Sequence, residues 1–239
     1  MNNLKKLFEK IFQTRLIFPR IFENFPIIAF FSQKLPYPFD FNSLLNLNQK
    51  RIFFPKQIHS TNILEITEFR NSLFEFKCDG TFTKLKNLFL GVRTADCLPI
   101  LVYIKREKII GAIHAGWKGS VNGILFKFLK NFLDQGIKSK EIFIAIGPHI
   151  KSCCYEVKDE VINKVKKYYP NWQNLILLKN NKVFLDLTQL NLFQALSLGI
   201  PENNIWISQD CTYCLNNLYW SHRFHKTQHG FQVALIGKV

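Results

Sequence analysis

Residues 88–115 hold three apolar runs separated only by short polar breaks, and few folds can accommodate such a stretch. LFLGV (88–92) reads as a buried strand, RTAD as a turn, and LPILVYI (98–104) as a second strand. KREK makes a hairpin-like break, and KIIGAIHA (108–115) a third strand. The GWKGS segment then leads into a helix. Ser120 is its expected N-cap, and Val121, Ile124, Leu125, Phe128, Leu129 and Phe132 form its apolar face. Gly136 is its expected stop. A further strand is predicted at 141–146, ending at Gly147-Pro148, then helices near 159–169 and 186–198. NNIWIS and FQVALIGKV read as late strands. Residues 26–58 read as irregular, because Pro26, Pro36, Pro38 and Pro55 interrupt any long element. Strands and helices mix without strict βαβ alternation. That predicts an α+β fold with a mixed sheet rather than a doubly wound one.

No internal repeat, low-complexity tract or Gly/Ser linker divides the chain, so residues 21–239 are expected to form a single domain. At the start, Leu4, Leu7, Phe8, Ile11 and Phe12 fall at helical spacing with basic residues on either side. Residues 1–20 are therefore read as an amphipathic extension, a short helix docked on the body. A transit peptide or a membrane-surface helix is the alternative. No apolar run approaches the ~20 residues of a membrane span, and no signal-peptide stretch is visible. Six cysteines, two of them adjacent, fit a reduced cytoplasm better than a disulfide framework. A chain of 239 residues can bury enough surface to fold without staples. Lys and Arg number 32 against 17 Asp and Glu, a net charge of +15. Such a charge suits a nucleic-acid partner. Abundant Phe, Ile, Lys and Asn, whose codons are AT-rich, account for it equally well. No RNP-type aromatic pattern or zinc-knuckle spacing accompanies it, so no nucleic-acid partner is expected.

Polar and reactive residues gather where the predicted strands end. KQIHSTN offers His59, RTADCLP offers Asp96 and Cys97, and IHAGWKG offers His114 and Trp117. IGPHIKSCCYEV offers His149, Cys153, Cys154, Tyr155 and Glu156. Cys97 leaves one strand end and His114 arrives at the end of its hairpin partner, so the two can face each other. Two His and one Cys suit zinc in a catalytic site, where three protein ligands leave a fourth position for water. The metal makes that water acidic. Asp96, beside Cys97, could orient a ligand or move a proton. The same residues also suit a Cys-His nucleophilic pair. Two other groups rank behind these. Cys211-Thr-Tyr-Cys214 is a C-x-x-C without a second copy, and Cys153-Cys154 is a poor substitute for one. His222, His225 and His229 would share a face only on a helix, whereas the local sequence reads as loop and strand.

KQIHS, RTADCLPILVY, GAIHAGWKGS, IGPHIKSCCYEV, CTYC and SHR occur in this order. Together they resemble the signature blocks of the YfiH/laccase-domain family of purine nucleoside phosphorylases, also known as polyphenol oxidases. The blocks span roughly residues 56–239. The resemblance implies an α-β-β-α sandwich with a zinc ion held by His59, Cys97 and His114, and copper binding to the same donors in vitro. It implies phosphorolysis of adenosine, inosine and methylthioadenosine, with adenosine deamination, by a monomer or weak homodimer. The expected partners are a purine nucleoside and phosphate. Asp96 and Cys154 are the candidates for direct chemistry. Arg93, Lys118 and Arg223, with Lys56 behind them, are candidates for holding phosphate. Trp117 and Tyr155 are candidates for contact with the nucleoside, with Glu156 beside them.

Two segments depart from the family pattern. A Gly-rich stretch of the form TRxGGVS is usual near the N-terminus. FFSQKLPYPFDFNSLLNLNQKR stands in its place, without the Arg and the paired Gly. The usual SYRRD and TGR become SHRFHKTQHG, keeping Arg223 but placing Phe224 and His225 where the next Arg and acid would be. These departures leave room for an amidase editing peptidoglycan precursors, while the laccase resemblance offers a copper-dependent phenol oxidase and the +15 charge an RNA-binding protein as further alternatives.

Overall fold

The computed structural model describes residues 2–40, 51–68, 72–226 and 230–238. Among the described residues the strands form two six-stranded sheets and one three-stranded sheet. The first sheet contains β1 (Leu16–Ile17), β2 (Ile27–Ser32), β3 (Arg51–Lys56), β5 (Ser72–Lys77), β7 (Leu88–Thr94) and β15 (Gln232–Lys238), in the order β1-β2-β15-β7-β3-β5. The second contains β4 (Ile63–Glu65), β6 (Gly80–Thr83), β8 (Leu98–Ile104), β9 (Ile109–Ala115), β10 (Ile142–Ile146) and β14 (Ile205–Ile207), in the order β14-β10-β8-β9-β6-β4. The small third sheet joins β11 (Glu156–Val157), β13 (Lys182–Leu185) and β12 (Ile176–Lys179). Both large sheets are mixed: β15 runs antiparallel to β2 and β7, while β3 runs parallel to β5 and β7.

The alternation of side chains explains the uninterrupted apolar runs. On β7, Leu88, Leu90 and Val92 face the space between the sheets, while Phe89 points out toward α1 (Asn2–Phe12). On β8, Leu101 and Tyr103 face the same space. Leu98, Ile100, Val102 and Ile104 point the other way, into a core shared with α2 (Trp117–Val121), α3 (Ile124–Leu133), α4 (Asp159–Tyr168) and α5 (Leu187–Ser197). A strand buried on both faces has no polar side to show. The layers thus run α1, first sheet, second sheet, α2–α5: the α-β-β-α sandwich of mixed sheets that the family resemblance implied.

In the helix α1, Phe8 and Phe12 are buried against Phe30, with ring centroids 5.3 and 5.7 Å away, and Phe8 lies 5.1 Å from Phe89. Leu7 and Ile11 are half-buried, and the side chain of Leu4 lies outside the described residues.

Two expectations are corrected. Residues 26–58 are not irregular throughout, because they contain β2 and β3. Pro26 and Pro36 lie outside β2, whose six residues are all buried, and Pro55 sits where the β3–β5 register shifts. Proline is tolerated at such irregularities. Ser120 is not the cap of the long helix. It lies inside α2, with its hydroxyl donating to Ala115 O, and the chain restarts at Gly123. Gly123 has φ +77°, the left-handed conformation that breaks a helix and favours glycine. The apolar face of α3 is as expected, with Ile124, Leu125, Phe128, Leu129 and Phe132 all buried.

Candidate metal centre and its pocket

β8 and β9 are antiparallel neighbours with Pro99 opposite His114 and Leu98 opposite Ala115. This register brings Cys97, in the turn before β8, to the imidazole near the end of β9. His59 arrives from the segment after β3. The ligand atoms of His59, Cys97 and His114 lie within 4.8 Å of one another, an arrangement that could hold a metal ion. Cys97 Sγ is 3.9 Å from His59 Nε2, and the two imidazole rings meet edge to face at 4.8 Å. The Cys97–His114 relation follows from the apolar hairpin. The approach of His59, 38 positions before Cys97, depends on the chain's passage from β3 in the first sheet to β4 in the second.

His59 has φ +59°, a left-handed conformation that costs a non-glycine residue about 1–3 kcal/mol unless its surroundings impose it. Asp79, buried just before β6, imposes it. Its carboxylate accepts hydrogen bonds from the backbone N–H of His59 (2.9 Å), Ser60 (2.7 Å) and Ile58 (3.3 Å) and from the Ser60 hydroxyl (2.7 Å). Gln57 adds a second anchor. Its amide donates to Arg93 O and accepts from Arg93 N, at 2.8 and 2.9 Å.

The Asp79 carboxylate also sits 2.8 Å from His114 Nδ1. A carboxylate accepts, so Nδ1 carries the proton and Nε2 is left with its lone pair for the centre. Carboxylate–histidine support of this kind orients a metal ligand and raises its basicity. Burial would raise the Asp79 pKa, but His114 and the Ser60 donors outweigh it and hold it below the ordinary carboxylate value. Burial would also raise the Cys97 thiol, but the two imidazoles pull it well below the usual value. His114 moves up against its own burial, drawn by the Cys97 thiolate and Asp79. Thiolate is the form in which cysteine binds a metal. Gly116 completes the cradle. A Cβ there would come within 3.0 Å of both Cys97 Sγ and His59 Cδ2.

The trio opens into a cavity of ≈ 660 Å³, within the range of small-molecule sites. Arg93, Thr94, Asp96, Trp117, Lys118, Tyr155, and Arg223 from α6 (His222–His225) contribute to its lining. Arg93 is stacked 3.8 Å from the Phe74 ring and 4.9 Å from Phe231. Arg223 lies 5.3 Å from the Tyr155 ring and donates from Nη1 to Glu156 O at 2.9 Å. Trp117 has Lys164 Nζ 5.1 Å from its ring.

Asp96 is not positioned to orient either histidine. Its carboxylate accepts from the Thr212 hydroxyl at 2.6 Å and from Arg223 N at 2.7 Å, so it braces the loops that carry the pocket wall. Cys154 is not brought to this centre. Its Sγ lies 3.3 Å from Cys214 instead. His222 and His225 lie on a short helix after all, but His225 turns to Ser221 and Trp220. His229 lies outside the described residues. Two residues had no signal of their own in the sequence. Asp79 has no fixed spacing to either histidine, and only the Asp-Gly that precedes a strand marks it. Thr94, 2% exposed, lines the cavity with a hydroxyl that meets no partner among the described residues.

Residues 40–238 match the family model described as multi-copper polyphenol oxidoreductase laccase. A purine nucleoside phosphorylase of Borreliella burgdorferi is 35% identical over 217 residues, covering 86% of this chain and 90% of that protein. An adenosine deaminase, RL5, from an unknown prokaryotic organism is 31% identical over 188 residues, covering 75% of this chain and 72% of that one. The crystal structure of YlmD from Geobacillus stearothermophilus superposes with a TM-score of 0.80 at 25% identity, covering 95% of this chain and 98% of that one. Bacillus licheniformis YfiH gives 0.79 at 28% identity, over 89% and 93%. The chain belongs to the multi-copper polyphenol oxidoreductase laccase family, the YfiH family that its ordered sequence blocks resemble.

Proposed function

We propose that the protein is a zinc-dependent purine nucleoside phosphorylase, acting on adenosine, inosine and methylthioadenosine, with adenosine deamination as a second activity. The observation that carries this reading is the His59, Cys97 and His114 trio, backed by Asp79, at a cavity ringed with Arg and Lys. Related proteins named for these two activities support the choice of substrate. Two imidazoles and a thiolate with an open fourth position are a donor set for catalytic zinc. Copper competes for such donors in vitro. When bound, zinc supplies Lewis acidity and makes a coordinated water acidic near neutral pH.

The chain's own residues would divide the rest. Cationic donors from Arg93, Lys118 and Arg223 would hold phosphate. Arg93 is suited to this because its two aromatic neighbours fix the guanidinium plane. In phosphorolysis a phosphate oxygen bonds to C1′ of the ribose as the C1′–N9 bond breaks. The bond pair leaves with the base, which needs hydrogen-bond donors as its charge develops. Trp117 and Tyr155 offer faces on which a purine can stack. The Thr94 hydroxyl would find in the substrate the partner it lacks among the described residues.

The test joins metal analysis to product analysis. Purified protein is expected to hold zinc in the trio and to release adenine from adenosine only with phosphate present. His114→Ala should lose that zinc and at least about 100-fold in rate. A zinc-loaded protein inert toward purine nucleosides, with or without phosphate, would overturn the reading.

A further inference from the structure

Outside the pocket, the described residues hold one more group of metal-binding side chains. Cys153, Cys154, Cys211 and Cys214 have sulfurs all within 4.8 Å of one another. Cys214 Sγ lies 3.6 Å from Cys153 Sγ and 3.3 Å from Cys154 Sγ. A tetrahedral zinc with Zn–S of about 2.3 Å would set its sulfurs about 3.8 Å apart. The cluster therefore already has the dimensions of a four-thiolate cage. We propose that these four cysteines form a second metal site, a closed tetrahedral zinc centre separate from the one in the pocket.

The fold explains why a pair of adjacent cysteines can serve. The loop after β10 and the loop after β14 are bridged by parallel pairing of His149 with Cys211, and Thr212 N donates to His149 O at 3.1 Å. Beyond that bridge the first loop turns sharply, Cys154 N and Tyr155 N both donating to Lys151 O. The turn presents both Cys153 and Cys154 to the second loop. There Cys211-Thr-Tyr-Cys214 curls into its own turn, with Leu215 N donating to Cys211 O at 2.9 Å. Half of the cage thus comes from each loop. The spacing C-C…C-x-x-C conceals this, because adjacent cysteines lack the usual C-x-x-C separation.

A backbone donor already holds one of the four sulfurs. Lys151 N donates to Cys211 Sγ at 3.4 Å. Amide-to-sulfur bonds of this kind stabilise a thiolate ligand. The Lys151 side chain ties the two loops together, donating to Ser208 O at 2.7 Å and to the Thr188 hydroxyl at 3.3 Å. Four sulfurs leave no position open for substrate, so the site would be structural. Its effect reaches the pocket through the chain. Tyr155 follows Cys154 directly, and Thr212 carries the bond to Asp96 that also holds Arg223.

The proposal is tested on the whole protein, purified under reducing conditions and loaded with zinc. Expected are two zinc ions per chain, falling to one in His114→Ala and to one in Cys214→Ser. Cys153→Ser, at an exposed position, is the second variant should Cys214→Ser fail to fold. In the wild type, these four cysteines should resist a thiol reagent until a chelator strips the metal. Cobalt loading of His114→Ala should give the thiolate-to-metal absorption of a tetrahedral sulfur site. A single zinc that His114→Ala abolishes, with these four cysteines freely reactive, would overturn the proposal. So would a disulfide among them in the zinc-loaded protein. None of these readouts depends on nucleoside turnover, so failure of the phosphorylase reading would leave the result intact.

Discussion

Asp79 does two jobs with one carboxylate. It holds the backbone of residues 58–60 in a shape that His59 would not adopt alone, and it fixes the tautomer of His114. Asp79→Asn keeps the size but removes the charge and one acceptor oxygen. The amide nitrogen then faces groups that are already donors. Zinc affinity should fall about 10–100-fold, the usual effect of losing such outer support, as measured by competition with a chromophoric chelator. Unchanged affinity would assign Asp79 to folding alone. The three converging donors were legible in the sequence only as candidates, and the ordered family blocks singled them out. Asp79 was not legible, because its role depends on the parallel pairing of β4 with β6, which carries it beneath His59. Adjacency to Cys97 marked Asp96, which lines the same cavity, and only the fold shows its carboxylate accepting from Thr212 and Arg223.

At the level of elements, legibility followed burial. In the β8–β9 hairpin and the late strand β15 alternate residues enter different cores, and in α3 the residues at helical spacing all enter one. Such runs leave one reading. β2 is equally apolar but short and bracketed by prolines, so local punctuation outweighed a pattern that its pairing with β1 and β15 makes a strand. The start of α3 was misplaced for a related reason. Ser120 has the chemistry of a cap, yet its hydroxyl is used inside the fold, bonding to Ala115 and Asn191. The helix α1 tests how far the outer layer contributes. Phe12 is fully buried, with Phe30 and Phe39 rings 5.7 Å away. Phe12→Ala should cost about 3–5 kcal/mol through lost burial and the cavity left behind, read as a lower urea midpoint. A loss below about 1 kcal/mol would mean that α1 rests on the sheet without being part of its core.

For the whole molecule, the +15 charge first suggested a nucleic-acid partner, but the fold gives a few of the cations particular places. Arg93, Lys118 and Arg223 line the pocket, and Lys238 is used structurally. Lys238, at the end of β15 and only 6% exposed, reaches from the first sheet to Lys108 O in the β8–β9 turn at 2.8 Å and to Lys84 O. Both partners are neutral carbonyls, and the charged groups facing it are Lys84, Lys86 and Lys108. Burial, with these three like charges added, lowers its pKa to about 8. An unfolded lysine titrates near 10.4. Below pH 8 both states hold the proton, so this group gives stability no slope there. Between about 8 and 10.4 the unfolded chain keeps a proton that the folded chain has released, so its contribution to stability rises with pH. Wild type minus Lys238→Met, compared by denaturant unfolding at stepped pH, isolates that contribution from the tyrosines and cysteines that titrate nearby. The difference should grow in favour of wild type by up to about 1.4 kcal/mol per pH unit in this window and stay flat between pH 6 and 7.5. Parallel curves from pH 6 to 10 would show that the ammonium between the sheets is no harder to charge than one in water.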